Sequence, residues 1–253
     1  MRVATIICLA LTVFTSACNQ NPPVADKSKD SSIGNGSLPD ADLPVSTGRV
    51  SSYECKPETS LLYDDAGIST YTEDRMRGEG VVSFQFDTHQ RLDFINMDGS
   101  PFGFFVLNED GDYYTLDMPQ KTIARRVIPE QDFACFDFDA ERAGTDRNYL
   151  LVYVNGEKRK VKKDELKYTY QSWPEYLLGS VVSLKPCNLL KATDGTNINN
   201  SKDQYFKVLA VKGDLIEIKS TEACQQEVPF LEMRGWVRWR QGGSLVIDFA
   251  VCD

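Results

Sequence analysis

Tyr149-Leu150-Leu151-Val152-Tyr153-Val154-Asn155-Gly156-Glu157-Lys158-Arg159-Lys160-Val161 decides the fold class. Apolar and aromatic residues of high strand preference run into Asn-Gly, and a second extended run leaves it. Asn-Gly accepts the positive φ that a type I′ turn needs at both central positions, and the twist of that turn suits two antiparallel strands. The stretch predicts a β-hairpin. The same grammar recurs upstream. Val81-Val82-Ser83-Phe84-Gln85-Phe86 and Arg91-Leu92-Asp93-Phe94-Ile95 alternate with a period near two on either side of Asp87-Thr88-His89-Gln90. Asp98-Gly99 and Asn108-Glu109-Asp110-Gly111 mark turns around residues 102–107, and residues 113–116 extend the meander. Residues 133–138 read as a strand with Cys135 inside it. Downstream, 180–184, 205–211, 215–218, 235–239 and 245–249 are strand-like, with Lys212-Gly213-Asp214 closing a further hairpin. No segment from Val50 onward keeps a helical period; a short turn near 163–167 is the best helix candidate. Trp173-Pro174 reads as a break, and the domain boundary is placed there. The expectation is an all-β chain of two small, mostly antiparallel β domains, 49–172 and 173–253.

The beginning of the chain has another character. Met1 and Arg2 precede an apolar run over 3–14, and Thr15, Ser16 and Ala17 follow. Charge, apolar core and small-residue exit form the pattern of an export signal. The apolar run is about twelve residues, too short for the ~20 of a spanning helix, so residues 1–17 read as a cleaved signal peptide. Residues 19–48 carry Pro22, Pro23, Pro39 and Pro44 among Ser, Asp, Asn and Gly. Such a segment buries too little apolar surface to offset its ordering entropy, so 18–48 is expected to be a disordered tether. As a flexible coil it reaches roughly 30 Å.

The cysteine that ends the signal, Cys18, resembles the lipobox cysteine of bacterial lipoproteins, with Thr15 where that motif usually has leucine. The resemblance implies a thiol acylated with fatty acid, a lipid anchor facing the periplasm, and, from Asn19 in place of aspartate, the outer membrane rather than the inner one. The seven cysteines then divide by use. Cys8 leaves with the signal. With Cys18 acylated, Cys55, Cys135, Cys187, Cys224 and Cys252 allow two disulfides in an oxidising compartment. With Cys18 unmodified, three are possible. Cys55 with Cys135 would tie the first domain, and any two of Cys187, Cys224 and Cys252 the second.

At the far end, Tyr205-Phe206-Lys207-Val208, Gly213-Asp214, Ile216-Glu217-Ile218 and Gly235-Trp236-Val237 together resemble bacterial Src-homology-3-like domains. The resemblance covers roughly the last seventy residues and departs from the family over 219–234, where the insertion is long. It implies a small SH3-like β-barrel that binds cell-wall peptides or partner proteins. Alternate strand residues fill such a barrel, so Val208, Ala210, Ile216, Ile218, Trp236 or Val237, and Val246 are core candidates. Tyr205 and Trp239 are candidates for an outer binding groove.

Chemistry-bearing residues are sparse. His89 is the only histidine and falls in a turn. The cysteines lack Cys-x-x-Cys spacing, so no zinc or redox motif is indicated, and no cofactor is implied. Asn108 to Asp112 is read as a hairpin turn before a calcium loop, because the closing bidentate glutamate is missing. Thr193-Asp194-Gly195 is read in the same way, and Asp64-Asp65 is one of several acidic pairs. Asp137 and Asp139 at i, i+2 share a strand face and are read as solvated ahead of a glycosidase pair. Lys158, Arg159, Lys160, Lys162 and Lys163 form the one basic run, expected as a charged edge strand, with an anion or acidic-partner patch as the functional alternative. A formal charge of −9 disfavours nucleic acid and anionic bilayers as partners. The expected function is non-catalytic binding in the bacterial cell envelope, to a peptidoglycan peptide or an envelope protein. Alternatives are an inhibitor or immunity protein against a lytic envelope enzyme, and a carboxylate-dependent hydrolase.

Overall fold

The computed structural model describes residues 55–251 apart from 66, 109, 112, 120, 165, 193 and 225–227. The expected signal peptide, Cys18, the tether and Cys252 lie outside the described residues. The first part of the chain forms β1 (Thr59–Asp65), β2 (Ile68–Glu73), β3 (Gly80–Gln85), β4 (Arg91–Ile95), β5 (Pro101–Leu107) and β6 (Tyr114–Asp117). Next come β7 (Lys121–Ile123), β8 (Arg126–Ile128), β9 (Cys135–Ala140), β10 (Tyr149–Val154), β11 (Glu157–Lys162) and β12 (Lys167–Ser172). A five-residue helix, α1 (Trp173–Leu177), precedes β13 (Val181–Leu184), β14 (Tyr205–Lys212), β15 (Leu215–Ser220) and β16 (Arg234–Arg238). Three short strands end the fold: β17 (Arg240–Gln241), β18 (Ser244–Leu245) and β19 (Ile247–Phe249).

The chain is all-β. A nine-stranded antiparallel sheet runs β12-β3-β9-β10-β11-β4-β5-β6, with β8 also paired to β9. A five-stranded sheet runs β16-β15-β14-β13-β19, and smaller sheets join β1-β2-β7 and β17-β18. β7 is parallel to β2; the other pairings are antiparallel. Among the described residues all four sheets are open.

The hairpin that decides the fold class is present, with Val154 facing Glu157 and φ of 52° at Asn155 and 78° at Gly156. Asn155 does more than turn the chain. Its side chain accepts the Ile123 amide at 2.7 Å and donates to the Lys121 carbonyl at 2.8 Å, so the turn also holds β7.

Two apolar cores form on this frame. One gathers Phe84, Phe94, Phe105, Phe136 and Phe138 around the nine-stranded sheet, with Phe94 and Phe105 edge to face at 5.1 Å. The other packs Trp173, Tyr176 and Leu177 of α1 against Phe206, Ile216, Ile218, Val237 and Ile247. Val81 belongs to this second core although its strand is in the first sheet, and its neighbour Val82 faces the first core. Alternation along β3 thus serves both cores at once. Cys55 and Cys187 add a covalent tie, with Cα atoms 5.4 Å apart.

Three expectations are corrected here. Residues 163 and 164 form a turn and Lys167 opens β12, so the candidate helix near 163–167 is absent from the described residues. Trp173-Pro174 starts a helix where a break is expected, because Glu175 accepts both the Ser172 amide at 2.8 Å and its hydroxyl at 2.7 Å. Proline is tolerated there since the first-turn amides have no helical partner. The basic strand β11 lies between β10 and β4, not at an edge. Period-two alternation turns Val161 and Arg159 inward and Lys158, Lys160 and Lys162 outward, so a strand this charged can sit inside a sheet with one open face.

Candidate functional site

The acidic pair Asp137 and Asp139 does share one face of β9, but that face is buried, at 1% and 3% exposure. Arg126 Nη2 lies 2.9 Å from Asp137 Oδ2, and the Tyr176 hydroxyl donates to the same oxygen at 2.6 Å. Ser83 donates to Oδ1 at 2.6 Å. Asp139 accepts Nε and Nη2 of Arg125 at 2.8 and 2.9 Å and the Arg77 amide at 2.9 Å. Arg125 also donates to the carbonyls of Glu73 and Arg75, at 2.8 and 2.9 Å. Burial opposes charge on both arginines, yet Asp139 beside Arg125, and Tyr176 with Asp137 beside Arg126, hold them above the usual value. Burial pushes the Tyr176 hydroxyl well above its ordinary range. The expected solvated strand face is instead an ionic joint. Arg126 Nη1 reaches the Ala250 carbonyl at 3.3 Å and Tyr176 belongs to α1, so the joint fastens the two sheets together. With these oxygens taken up by arginine, tyrosine, serine and amide donors, the pair is structural.

The other sequence candidates scatter. His89 is exposed in its turn with φ of 67°. Asn108 closes the next turn, its amide donating to the Tyr113 carbonyl at 3.0 Å; residues 109 and 112 lie outside the described set. Asp64 and Asp65 are exposed on β1, and Asp194 accepts the amide and hydroxyl of Thr196. Among the described residues no three His, Cys, Asp or Glu side chains gather as a metal site. Lys158 pairs with Glu141 at 2.7 Å and Lys160 donates to the Met97 carbonyl at 2.8 Å. Arg159 is buried, pairs with Glu157 at 2.9 Å and lies 4.0 Å over the Phe102 ring. Much of the basic run is thus engaged within the fold. Cys135 and Cys224 are buried, and Cys55, expected opposite Cys135, pairs with Cys187 across the sheets.

One aromatic expectation is corrected and one alternative is resolved. Trp239 is 1% exposed and its indole N–H donates to the Gly213 carbonyl at 2.8 Å, so it belongs to the core and not to an outer groove. Trp236 is 45% exposed, and Val237, the other core candidate, is buried. Val208, Ile216, Ile218 and Val246 are buried as expected. Tyr205 is half-buried beside an open cavity of about 230 Å³ that Gln204, Cys224, Val228 and Phe230 also line.

Trp236 stands in the middle of an ordered surface. Lys207, Lys219 and Arg234 face one another across β14, β15 and β16, and residues directly opposite share a sheet face. The next row places Glu217 beside Trp236, and the next Leu215 between Lys212 and Arg238. Arg234 meets the half-buried Glu217 at 2.7 Å, and Lys219 meets the exposed Glu232 at 3.3 Å. The outer face of these strands is therefore cationic around one open indole, on a chain whose formal charge is −9. Its signal in the sequence is the alternation Arg234-Gly235-Trp236-Val237-Arg238, readable once Val237 is known to point inward. Comparison with protein-family models, curated proteins and solved structures finds no match for this chain.

Proposed function

We propose that this protein is an exported, membrane-tethered, non-catalytic binding protein of the bacterial cell envelope, and that the β14–β16 face around Trp236 is its binding surface. The observation that carries the binding role is the exposed indole of Trp236 set among Arg234, Arg238, Lys207 and Lys219. Aromatic and arginine side chains supply contact area and charge-assisted hydrogen bonds at low entropic expense. Export is supported by the leader over 1–17 and by the Cys55–Cys187 bridge, since disulfides persist in oxidising compartments. Acylation of Cys18 and an outer-membrane location belong to the same reading. The meander β14-β15-β16, with its Gly213-Asp214 turn and Gly235-Trp236-Val237 strand, supports an opened variant of the SH3-like domain.

Peptidoglycan stem peptides carry free carboxylates, which suits a cationic face. Purified sacculi should retain the protein, and Trp236→Ala should release it without lowering its unfolding midpoint. Retention by immobilised lysozyme-like enzymes with no retention on sacculi would replace this reading by the inhibitor one. Intact mass of the exported protein tests the anchor: acylation adds a lipid mass at Cys18.

A further inference from the structure

The edge of β16 has a hydrogen-bonding polarity that follows from its register. Ser220 donates to the Met233 carbonyl at 2.9 Å and Trp239 to the Asp214 carbonyl at 3.0 Å, in step with the pairs Ile218↔Gly235 and Ile216↔Val237. Antiparallel ladders alternate between hydrogen-bonded and non-hydrogen-bonded pairs. Arg234, Trp236 and Arg238 are therefore the non-bonded partners of β15, and their amides and carbonyls point to the open edge. Among the described residues only Asn188 reaches these groups, donating to the Arg238 carbonyl at 2.7 Å. The same three residues carry the outward side chains.

We propose that β16 receives an acidic, extended peptide segment as an added strand, with acids opposite Arg234 and Arg238 and an apolar residue opposite Trp236. This rests on the reading of the β14–β16 face as the binding surface. Outward residues on a strand repeat about every 6.7 Å, so the segment has the pattern acid-x-apolar-x-acid. A peptide is favoured over an anionic glycan because the edge offers backbone donors and acceptors at strand spacing, which another peptide backbone matches. Cations on an edge also serve to repel unwanted strands. That role does not account for Lys207 and Lys219, cations on inner strands directly opposite each other, of which Lys219 meets Glu232. Nor does it account for the open indole.

The test uses the full chain and a capped Glu-Thr-Val-Thr-Glu peptide, followed by calorimetry and iodide quenching. Trp236 is 45% exposed whereas Trp173 and Trp239 are at 4% and 1%, so quenching reports on Trp236. The acidic peptide should bind and shield the indole, and Lys-Thr-Val-Thr-Lys should not. N-methylation of the backbone amides that face β16 should weaken binding by about tenfold or more. Arg234→Glu with Arg238→Glu should reverse the preference, with a urea unfolding curve to show that the variant, which loses the Arg234–Glu217 pair, is still folded. Equal binding of the N-methylated peptide, absence of shielding, or preference for polyglucuronate would overturn strand addition. If Trp236→Ala still loses sacculi in those cases, the face remains the binding surface with another ligand. If it keeps them, the reading of the face fails as well.

Discussion

Asp139→Asn is the sharpest probe of the joint between the sheets. The Asp139 and Arg125 side chains are 5% and 2% exposed. The substitution leaves a guanidinium with one facing oxygen and, opposite its second N–H, an amide NH₂ that can only repel it. Removing one member of a buried ion pair costs about 3–5 kcal/mol. The hydrogen bonds agree: two charge-assisted bonds, at 2.8 and 2.9 Å, are each worth about 1.5–3 kcal/mol. With a urea slope of about 2 kcal/mol/M, the unfolding midpoint should fall by about 1.5–2.5 M. Arg125 lies 5.1 Å over the Trp173 ring, so Trp173 emission should change with the same transition. Combining Asp139→Leu with Arg125→Met removes both charges and should recover part of the loss. Recovery stays partial because the carbonyls of Glu73 and Arg75 then lack their donor. A loss under about 1 kcal/mol for Asp139→Asn, or a charge-free variant no more stable than the single one, would refute a dry, paired joint.

Replacing Cys55 and Cys187 by alanine opens a bridge spanning a sequence separation of 132 and should destabilise by about 3–5 kcal/mol, read from urea midpoints with and without reductant on the native protein. Asn155→Ala should destabilise by about 2–3 kcal/mol and Asn155→Gly by less, because glycine keeps the positive φ and loses only the grip on β7; thermal unfolding that ranks them the other way would contradict this. Tyr176 keeps its proton when folded at pH values where the unfolded chain, near the ordinary value of 10, loses it, so stability should fall as pH rises past about 10. Tyr176→Phe should lose about 1–3 kcal/mol at neutral pH with its bond to Asp137 and then show a shallower alkaline decline in urea midpoint.

Hairpin β10–β11, the strands β3 and β4 and the β14–β15 turn were legible because each is written in neighbouring residues: alternation near period two, closed by Asn155-Gly156 or Gly213-Asp214. Helix α1 was harder to read. Proline at 174 is a helix opener only when Ser172 and Glu175 form a cap ahead of it, and a five-residue helix has no periodicity to display. The face around Trp236 was half legible. Gly235-Trp236-Val237 marked the strand, but which of two adjacent residues faces the core depends on register, and a step of one residue exchanges Trp236 for Val237.

Taken alone, the sequence determined that the described body is built of antiparallel strands with tight turns, since strand preference and turn chemistry act over a few bonds. Only the tertiary structure decided what the polar and sulfur-bearing groups do. Asp137 and Asp139 look like a wet strand face until Arg125 and Arg126 arrive from elsewhere in the chain to pair with them and Tyr176 donates to Asp137. Cys55, just ahead of β1, finds Cys187, just after β13, and not Cys135, which is inside β9. Long-range pairing of this kind is a property of packing, and alternation along one strand carries no record of which surface it will meet.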